Sequence, residues 1–278
     1  MKLRVEALEK AYKGRNGITR ALEPTSFSVA DGEFVSLVGP SGCGKSTTLY
    51  MIAGLEQASH GQIILDDEQV CGPGRDRGMV FQNYTLFPWL TVLENTQFCF
   101  ELEQNRDFSL TSRQISTRIG RAYYLLDLMG LTQFYHAYPR ELSGGMKQRV
   151  AIARALVNKP KVLLMDEPFG ALDAQTREEM QELLLLLSRH ENITTLFVTH
   201  DVEEAIFLST RILVFSGRPG KIIKEVKVPF GSDRALELKT SPELMQLKQE
   251  IVQLLHPAGY KPLDKHSLLR RLTGQSGP

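Results

Sequence analysis

The sequence predicts an α/β protein: a mostly parallel, doubly wound sheet, an antiparallel β subdomain at the N-terminus, and an α-helical subdomain inserted in the middle. Three observations carry that expectation. Short apolar runs at 63–65, 79–81, 162–165, 195–199 and 212–215 are in several places separated by helix-like stretches, the pattern of strands that return through helical crossovers and pair in parallel. A glycine-rich octet, 39–46, stands between the apolar run 34–38 and a helix-like stretch, 47–53. Between Thr85 and Pro160 the strand signal disappears and helical spacing replaces it, as in Leu125, Leu128 and Met129 and again in Met146, Val150, Ala153 and Val157.

Taken in order, residues 3–12 and 21–30 read as strands, the second reaching an Asp31-Gly32 turn before the strand that feeds the glycine-rich octet. These two form the antiparallel N-terminal sheet. Residues 101–117 are polar and rich in serine and threonine, so they are either a surface loop or the start of a helix. After Phe215 the turn Ser216-Gly217-Arg218-Pro219-Gly220 leads into an alternating segment, 221–228, that reads as an edge hairpin, and a helix begins near Ser241. Residues 257–278 are basic and rich in glycine and proline, and partial disorder is expected there. The expected organisation is one nucleotide-site domain, 1–230, with its helical subdomain at about 85–160, followed by a helical extension and tail at 231–278.

Composition narrows the class without naming the function. The 278 residues are 42% hydrophobic, enough for an ordinary packed core. A formal net charge of +1 gives no overall attraction to nucleic acid, and no nucleic-acid partner is expected. The longest aliphatic stretch, 183–187, is far short of the roughly 20 residues that span a bilayer. The N-terminus lacks the apolar core of a secretory signal, so a cytosolic location is expected. Cys43, Cys71 and Cys99 are scattered, with no paired spacing, which points to a reducing compartment and structural thiols.

Gly39, Pro40, Ser41, Gly42, Cys43, Gly44, Lys45 and Ser46, with Thr47 opening the next helix, read as a phosphate-binding loop on a P-loop NTPase core. Glycines let the backbone N–H groups turn inward around a triphosphate, Lys45 reaches the β and γ phosphates, and the Ser46 hydroxyl ligates Mg²⁺. The helix that follows adds its positive end. A second element, Val162 to Glu167, is a buried strand ending in two carboxylates. Adjacent strand residues face opposite ways, so Asp166 is placed to hold Mg²⁺, directly or through water, while Glu167 can polarise an attacking water. A third, Leu142-Ser143-Gly144-Gly145-Met146, puts a capping serine and two glycines at a helix start, where exposed N–H groups bind anions.

In this order and spacing, the three elements resemble the ATP-binding cassette family, whose signature motif 142–146 matches except that Met146 stands where glutamine is commonest. The resemblance covers about residues 1–230. It implies that Tyr12 stacks on adenine and that Gln82 approaches Mg²⁺ and the attacking water. It also implies that Asp173 communicates between two cassettes and that His200 contacts the γ-phosphate. It further implies a shared site, in which Ser143, Gly144 and Gly145 serve the nucleotide of the opposite subunit and two ATP molecules hold a dimer together.

The stretch 85–90 carries Phe87, Trp89 and Leu90, either as core beneath the helical subdomain or as a socket for a membrane permease, the contact the family makes on this surface. More narrowly, 78–82, 86–89, 165–173, 198–205 and 216–220 are similar to the importer branch, in subunits serving nitrate, sulfonate, taurine or bicarbonate uptake. The implied partners are integral-membrane permease subunits, a second copy or a paralogous ATPase, and a separate solute-binding protein. The implied location is peripheral, at the cytoplasmic face of the inner membrane. A DNA-repair or translation type of cassette ATPase is the alternative; it would bring a long coiled-coil or zinc insertion, or two cassettes in one chain, and neither is seen in the sequence.

Overall fold

Two sheets organise the chain, and their strands differ in how many faces they bury. The computed structural model describes residues 1–14, 17–104, 112–231 and 233–255. The first sheet is antiparallel, with β1 (Leu3–Gly14) paired to β2 (Gly17–Val29) on one side and to β4 (His60–Leu65) on the other, and with β5 (Glu68–Gln69) beside β4. The second has six strands in the order β10 (Ile222–Lys227), β9 (Arg211–Phe215), β3 (Phe34–Val38), β8 (Thr194–Thr199), β7 (Val162–Asp166), β6 (Arg77–Val80). From β9 to β6 it is parallel, and β10 closes the edge as an antiparallel hairpin partner of β9.

Every residue of β3, β7 and β8 is buried, as expected of strands covered on both faces. Alternation then sorts their side chains. Val35, Leu37, Val162, Leu164, Leu196 and Val198 join the core shared with the antiparallel sheet and α1 (Lys45–Ala53), whereas Leu163, Met165 and Phe197 join the core under the helices. Residues 63–65, expected among the apolar runs of the parallel sheet, instead lie in β4 of the antiparallel sheet. Their strand starts with exposed His60, Gly61 and Gln62 and then alternates buried Ile63 and Leu65 with half-buried Ile64, the one-sided pattern that suits an antiparallel sheet.

Between β6 and β7 lie α2 (Val92–Gln104), α3 (Ser112–Leu128) and α4 (Gly144–Leu156), the inserted helical subdomain. Of the segment 101–117, the described parts close α2 and open α3, so the start of a helix is the alternative realised there. Two more helices, α5 (Ala174–His190) and α6 (Val202–Leu208), flank β8, and α7 (Pro242–Leu255) packs Leu244 and Ile251, both fully buried, into a third cluster with Ile206 and Val214. Arg234 ties the approach to α7 onto α6. Its guanidinium donates to the carbonyls of Ile206, Phe207 and Ser209 at 3.0, 2.8 and 2.9 Å, satisfying the open end of that helix. Burial lowers its pKa to about 10. Residues 257–278 lie outside the described residues.

Arg211 joins the two sheets. From β9 it donates to both carboxylate oxygens of Glu33 at 2.7 and 3.0 Å, to Glu225 on β10 at 2.9 Å and to the Ser28 carbonyl of β2 at 2.5 Å. Its side chain and that of Glu33 are only 17% and 18% exposed, so removing one partner strands a largely desolvated charge. Arg211→Ala is expected to cost about 2–3 kcal/mol of stability. Urea unfolding should show a lower midpoint at an unchanged slope; a loss below about 0.5 kcal/mol, the range of an exposed pair, would contradict this account.

Candidate functional site

Where β3 ends, residues 39–44 form a tight loop that delivers the chain into α1. Gly44 caps that helix at φ 94°, a conformation natural only to glycine, and a Cβ there would lie 2.9 Å from the Ala21 carbonyl oxygen. Cys43 anchors the loop from below, fully buried in the same core as Leu37, Leu49 and Phe215. Burial pushes its thiol pKa up, which suits a packing role better than a nucleophilic one. Lys45 is 5% exposed, and its ammonium donates to the Gly39 and Pro40 carbonyls at 2.8 and 3.0 Å.

The two carboxylates at the end of β7 have different surroundings. Asp166 is 3% exposed and accepts from the Ser46 hydroxyl and the Tyr50 hydroxyl, both at 2.7 Å. Ser46 and Tyr50 lie one turn apart on α1 and therefore share a face. Burial first, and then the Asp166 carboxylate, push the Tyr50 hydroxyl up to about 12, so it remains a donor at neutral pH. Glu167 adopts φ 44°, a left-handed conformation costly for a residue with a long side chain. Its N–H still donates to the Val198 carbonyl at 2.9 Å. One Glu167 carboxylate oxygen lies 3.5 Å from the Gln82 amide nitrogen and 3.1 Å from His200 Nδ1.

A cavity of about 440 Å³ opens over this arrangement. It is lined by Ser41, Gly42, Cys43, Gly44, Lys45, Ser46 and Thr47 together with Tyr12, Ala21, Gln82, Glu167 and Arg218. Tyr12 is 41% exposed, with the Lys10 ammonium 4.9 Å from its ring centre. The Ser46 hydroxyl, the Asp166 carboxylate and the Gln82 carboxamide oxygen are hard donors of the kind Mg²⁺ takes, and a single carboxylate leaves positions for phosphate and water. Among the described residues no cluster of His, Cys, Asp or Glu is arranged to hold a metal by itself.

Other expected site residues lie apart from the cavity. Ser143 caps α4, accepting from Met146 N at 3.3 Å, and neither it nor Gly144 or Gly145 lines the pocket. Asp173 caps α5, accepting from Thr176 N at 3.0 Å, and that N–H holds its carboxyl below the usual range. Phe87, Trp89 and Leu90 form a surface loop. Trp89 is 68% exposed, so it is not core, while the Phe87 ring packs 4.4 Å from that of Phe98 and 5.6 Å from that of Trp89. Fully buried Asn95 holds this loop, accepting from Phe87 N at 2.8 Å and donating to the carbonyls of Phe87, Leu90 and Thr91 at 3.1, 2.9 and 3.0 Å.

Sequence reasoning missed Tyr50, Asn95 and Arg218. The i, i+4 spacing of Ser46 and Tyr50 was a usable signal. For Arg218 the signal was the likeness of 216–220 to the importer branch, but nothing in it pointed to the cavity, because the turn reads as a connector until Gly220 is seen against the loop.

The family model described as ABC transporter matches residues 22–170. The nitrate import ATP-binding protein NrtD of Synechocystis sp. is 47% identical over 92% of this chain and 95% of its own length. The aliphatic sulfonates import ATP-binding protein SsuB of Bacillus thuringiensis is 41% identical over 93% and 98%. Among solved structures, the dimeric post-hydrolysis state of the ATP-binding cassette MJ0796 bound to ADP and Pi is 34% identical, with a TM-score of 0.70 over 82% of this chain and all of that one. The chain belongs to the ABC transporter family and is an ATP-binding ATPase.

Gly220 supports the phosphate loop from the side. Its N–H donates to the Ala21 carbonyl at 3.1 Å, its own carbonyl accepts from Glu23 N at 2.8 Å, and a Cβ on it would fall 1.7 Å from the Cys43 carbonyl oxygen. Gly220→Ala must therefore displace the loop, and an ångström-scale shift in a binding cradle is expected to weaken nucleotide affinity by about tenfold or more. Titration with a fluorescent ATP analogue reads this directly, and parental affinity would show that the contact is not limiting.

Proposed function

We propose that the chain is the ATP-hydrolysing subunit of a membrane importer for a small anion. The observation that carries the chemistry is the convergence of Gln82 and His200 on one oxygen of Glu167, beside a cavity lined by Lys45 and Ser46. Loop N–H groups from Gly39 to Thr47 and the Lys45 ammonium bind the phosphates, and Tyr12 receives the base. Glu167 takes the proton of the attacking water, and Gln82 and His200 orient the water and the γ-phosphate. Ser46, Asp166 and Gln82 would hold Mg²⁺, which neutralises charge developing on the phosphates.

Ser143, Gly144 and Gly145, standing away from the cavity at a capped helix start, serve the nucleotide of a second cassette, the same chain or a paralogue, with Asp173 at the junction. The dimeric cassette named above supports that reading. Relatives named for nitrate and sulfonate import support a small anionic solute such as nitrate, a sulfonate, taurine or bicarbonate. Permease subunits dock at Phe87, Trp89 and Leu90, and a separate solute-binding protein completes the system. Among the described residues no helix is long and apolar enough to cross a membrane, and we place the subunit peripherally at the cytoplasmic face of the inner membrane, held there by the permease.

Glu167→Gln keeps the shape of the side chain and removes its basicity. Turnover should fall by a factor on the order of 10² or more while ATP binding stays near the parent. With ATP retained at the interface, light scattering should show an ATP-dependent doubling of mass. Undiminished hydrolysis would refute the role of Glu167; a monomer at saturating ATP would refute a homodimeric shared site.

Trp89→Glu tests the docking loop. Because the ring is largely exposed, the isolated variant should fold and hydrolyse ATP at the parental basal rate. Co-purification with the permease should be lost, since a carboxylate forced into a desolvated contact costs several kcal/mol. Normal assembly would move the docking site elsewhere.

A further inference from the structure

Glu204 sits on α6 with 5% of its surface exposed, and the helix does not need it. Asp201 already caps α6, accepting from Glu203 N and Glu204 N at 2.9 and 3.3 Å. A carboxyl taken out of water without a capping or ion-pair duty is costly, and burial pushes its pKa up. Its surroundings point to another purpose. Together with Glu167, His200 and Arg177 it lines a small cavity of about 50 Å³ adjoining the hydrolytic residues.

The carboxyl is the inner end of a hydrogen-bonded chain. Gln181 on α5, 2% exposed, donates through its amide nitrogen to Glu204 at 2.9 Å and accepts through its amide oxygen from the Lys239 ammonium at 2.8 Å. Lys239 lies in a short helix, Leu236–Thr240, ahead of α7. Its side chain is 10% exposed, and its ammonium is 3.4 Å from Glu178 and 5.0 Å from the centre of the Phe207 ring. On the other side, Glu204 N donates to the Asp201 carboxylate at 3.3 Å and Asp201 N to the Thr199 hydroxyl at 3.0 Å, and Thr199 lines the same small cavity as Glu204, so the backbone on both sides of His200 is tied to this end of α6. Arg177, whose charge also acts on Glu204, donates to the Leu172 carbonyl at 2.9 Å, next to Asp173.

We infer that Lys239, Gln181 and Glu204 are positioning residues for ATP hydrolysis: the segment before α7 fixes Glu204, which in turn fixes the backbone that carries His200 toward Glu167. The chain unites three stretches distant in sequence, around 181, 199–204 and 239, and Gln181 uses both its amide nitrogen and its amide oxygen in it. Such a buried network holds geometry more tightly than its separate bonds would, and loosening one end is felt at the other. The inference rests on the assignment of Glu167 and His200 to the chemistry.

The experiment uses the purified full chain and measures kcat, KM for ATP and thermal midpoint for Lys239→Met, Glu204→Gln, the double variant, Lys239→Arg and Glu167→Gln. Lys239→Met should lower kcat roughly three- to tenfold, with KM and thermal midpoint close to the parent, as expected when alignment rather than binding is lost. Lys239→Arg should recover most of that loss. The double variant should be no slower than Glu204→Gln alone, because the two residues act in series. Unchanged kcat in Lys239→Met beside an inactive Glu167→Gln overturns the inference alone. So do effects that multiply in the double variant, or a loss that follows the thermal midpoint and is not rescued by arginine. Parental turnover in Glu167→Gln overturns the site assignment and the inference with it.

Discussion

The register of three neighbouring parallel strands is the constraint on which the rest of the molecule depends. Val38 at the end of β3 pairs with Thr199 at the end of β8, and Asp166 at the end of β7 pairs with Val198. The phosphate loop, the two carboxylates and His200 therefore leave the sheet together at the carboxyl ends of its strands, where open α/β sheets bind their ligands. Because side chains alternate, a slip of one residue in β7 would exchange the faces of Asp166 and Glu167. Burial forbids it: the same slip would drive the Leu163 and Met165 set into the core already filled by Val162 and Leu164. Packing on both faces of the sheet thus aligns the polar chemistry at its strand ends.

The end of β7 separates two carboxylates that are neighbours in the chain. Asp166 continues the strand geometry, sinks against α1 and accepts one hydroxyl donor on each oxygen, which makes it a fixed anchor between strand and helix. Glu167 turns away through a left-handed backbone conformation and keeps a longer, partly exposed contact set with Gln82 and His200. Strain of this kind persists only where surrounding structure over-determines it, and the Glu167 N–H bond to Val198 does so here. Glu167 is thus held loosely beside the cavity, and Asp166 tightly between strand and helix.

Much of this was legible in the sequence because the decisive signals are local. The octet 39–46 lies between a strand and a helix, the acidic pair ends an apolar run, and Ser143 and Asp173 sit at helix starts and cap them. In β4 the run Ile63-Ile64-Leu65 is apolar at every position, and its one-sided burial appears only in the fold, so the rhythm of strands and helices placed this strand in the wrong sheet. What stayed hidden depends on contacts between distant segments. Arg218 and Gly220 matter only because their turn folds back on Ala21 and Cys43. Asn95 reads as an ordinary helical residue until its carboxamide is found bridging Phe87, Leu90 and Thr91. Trp89 could not be placed from composition, since an aromatic residue in a loop serves equally as core or as surface.

The helical subdomain meets Glu167 through a short stretch of chain, and its construction says how a disturbance there would travel. Gln82 and Trp89 belong to one loop between β6 and α2. Its Trp89 end is clamped by Asn95. Nearer Gln82, Arg154 of α4 donates to the Tyr84 and Thr85 carbonyls at 3.2 and 2.8 Å and lies 5.7 Å from the Phe87 ring. Thr85 itself is left-handed, at φ 49°. From Tyr84 to Leu90 the loop is thus fixed to α2 and α4, and a push on Trp89 is borne by those two helices and the loop together. Gln82, two residues beyond β6, stands where that loop leaves the sheet, and β6 pairs Val80 with Met165 of β7, the strand that Glu167 follows. The 3.5 Å separation between Gln82 and Glu167 is therefore set by the register of two neighbouring strands on one side and by the loop's hold on the helical subdomain on the other.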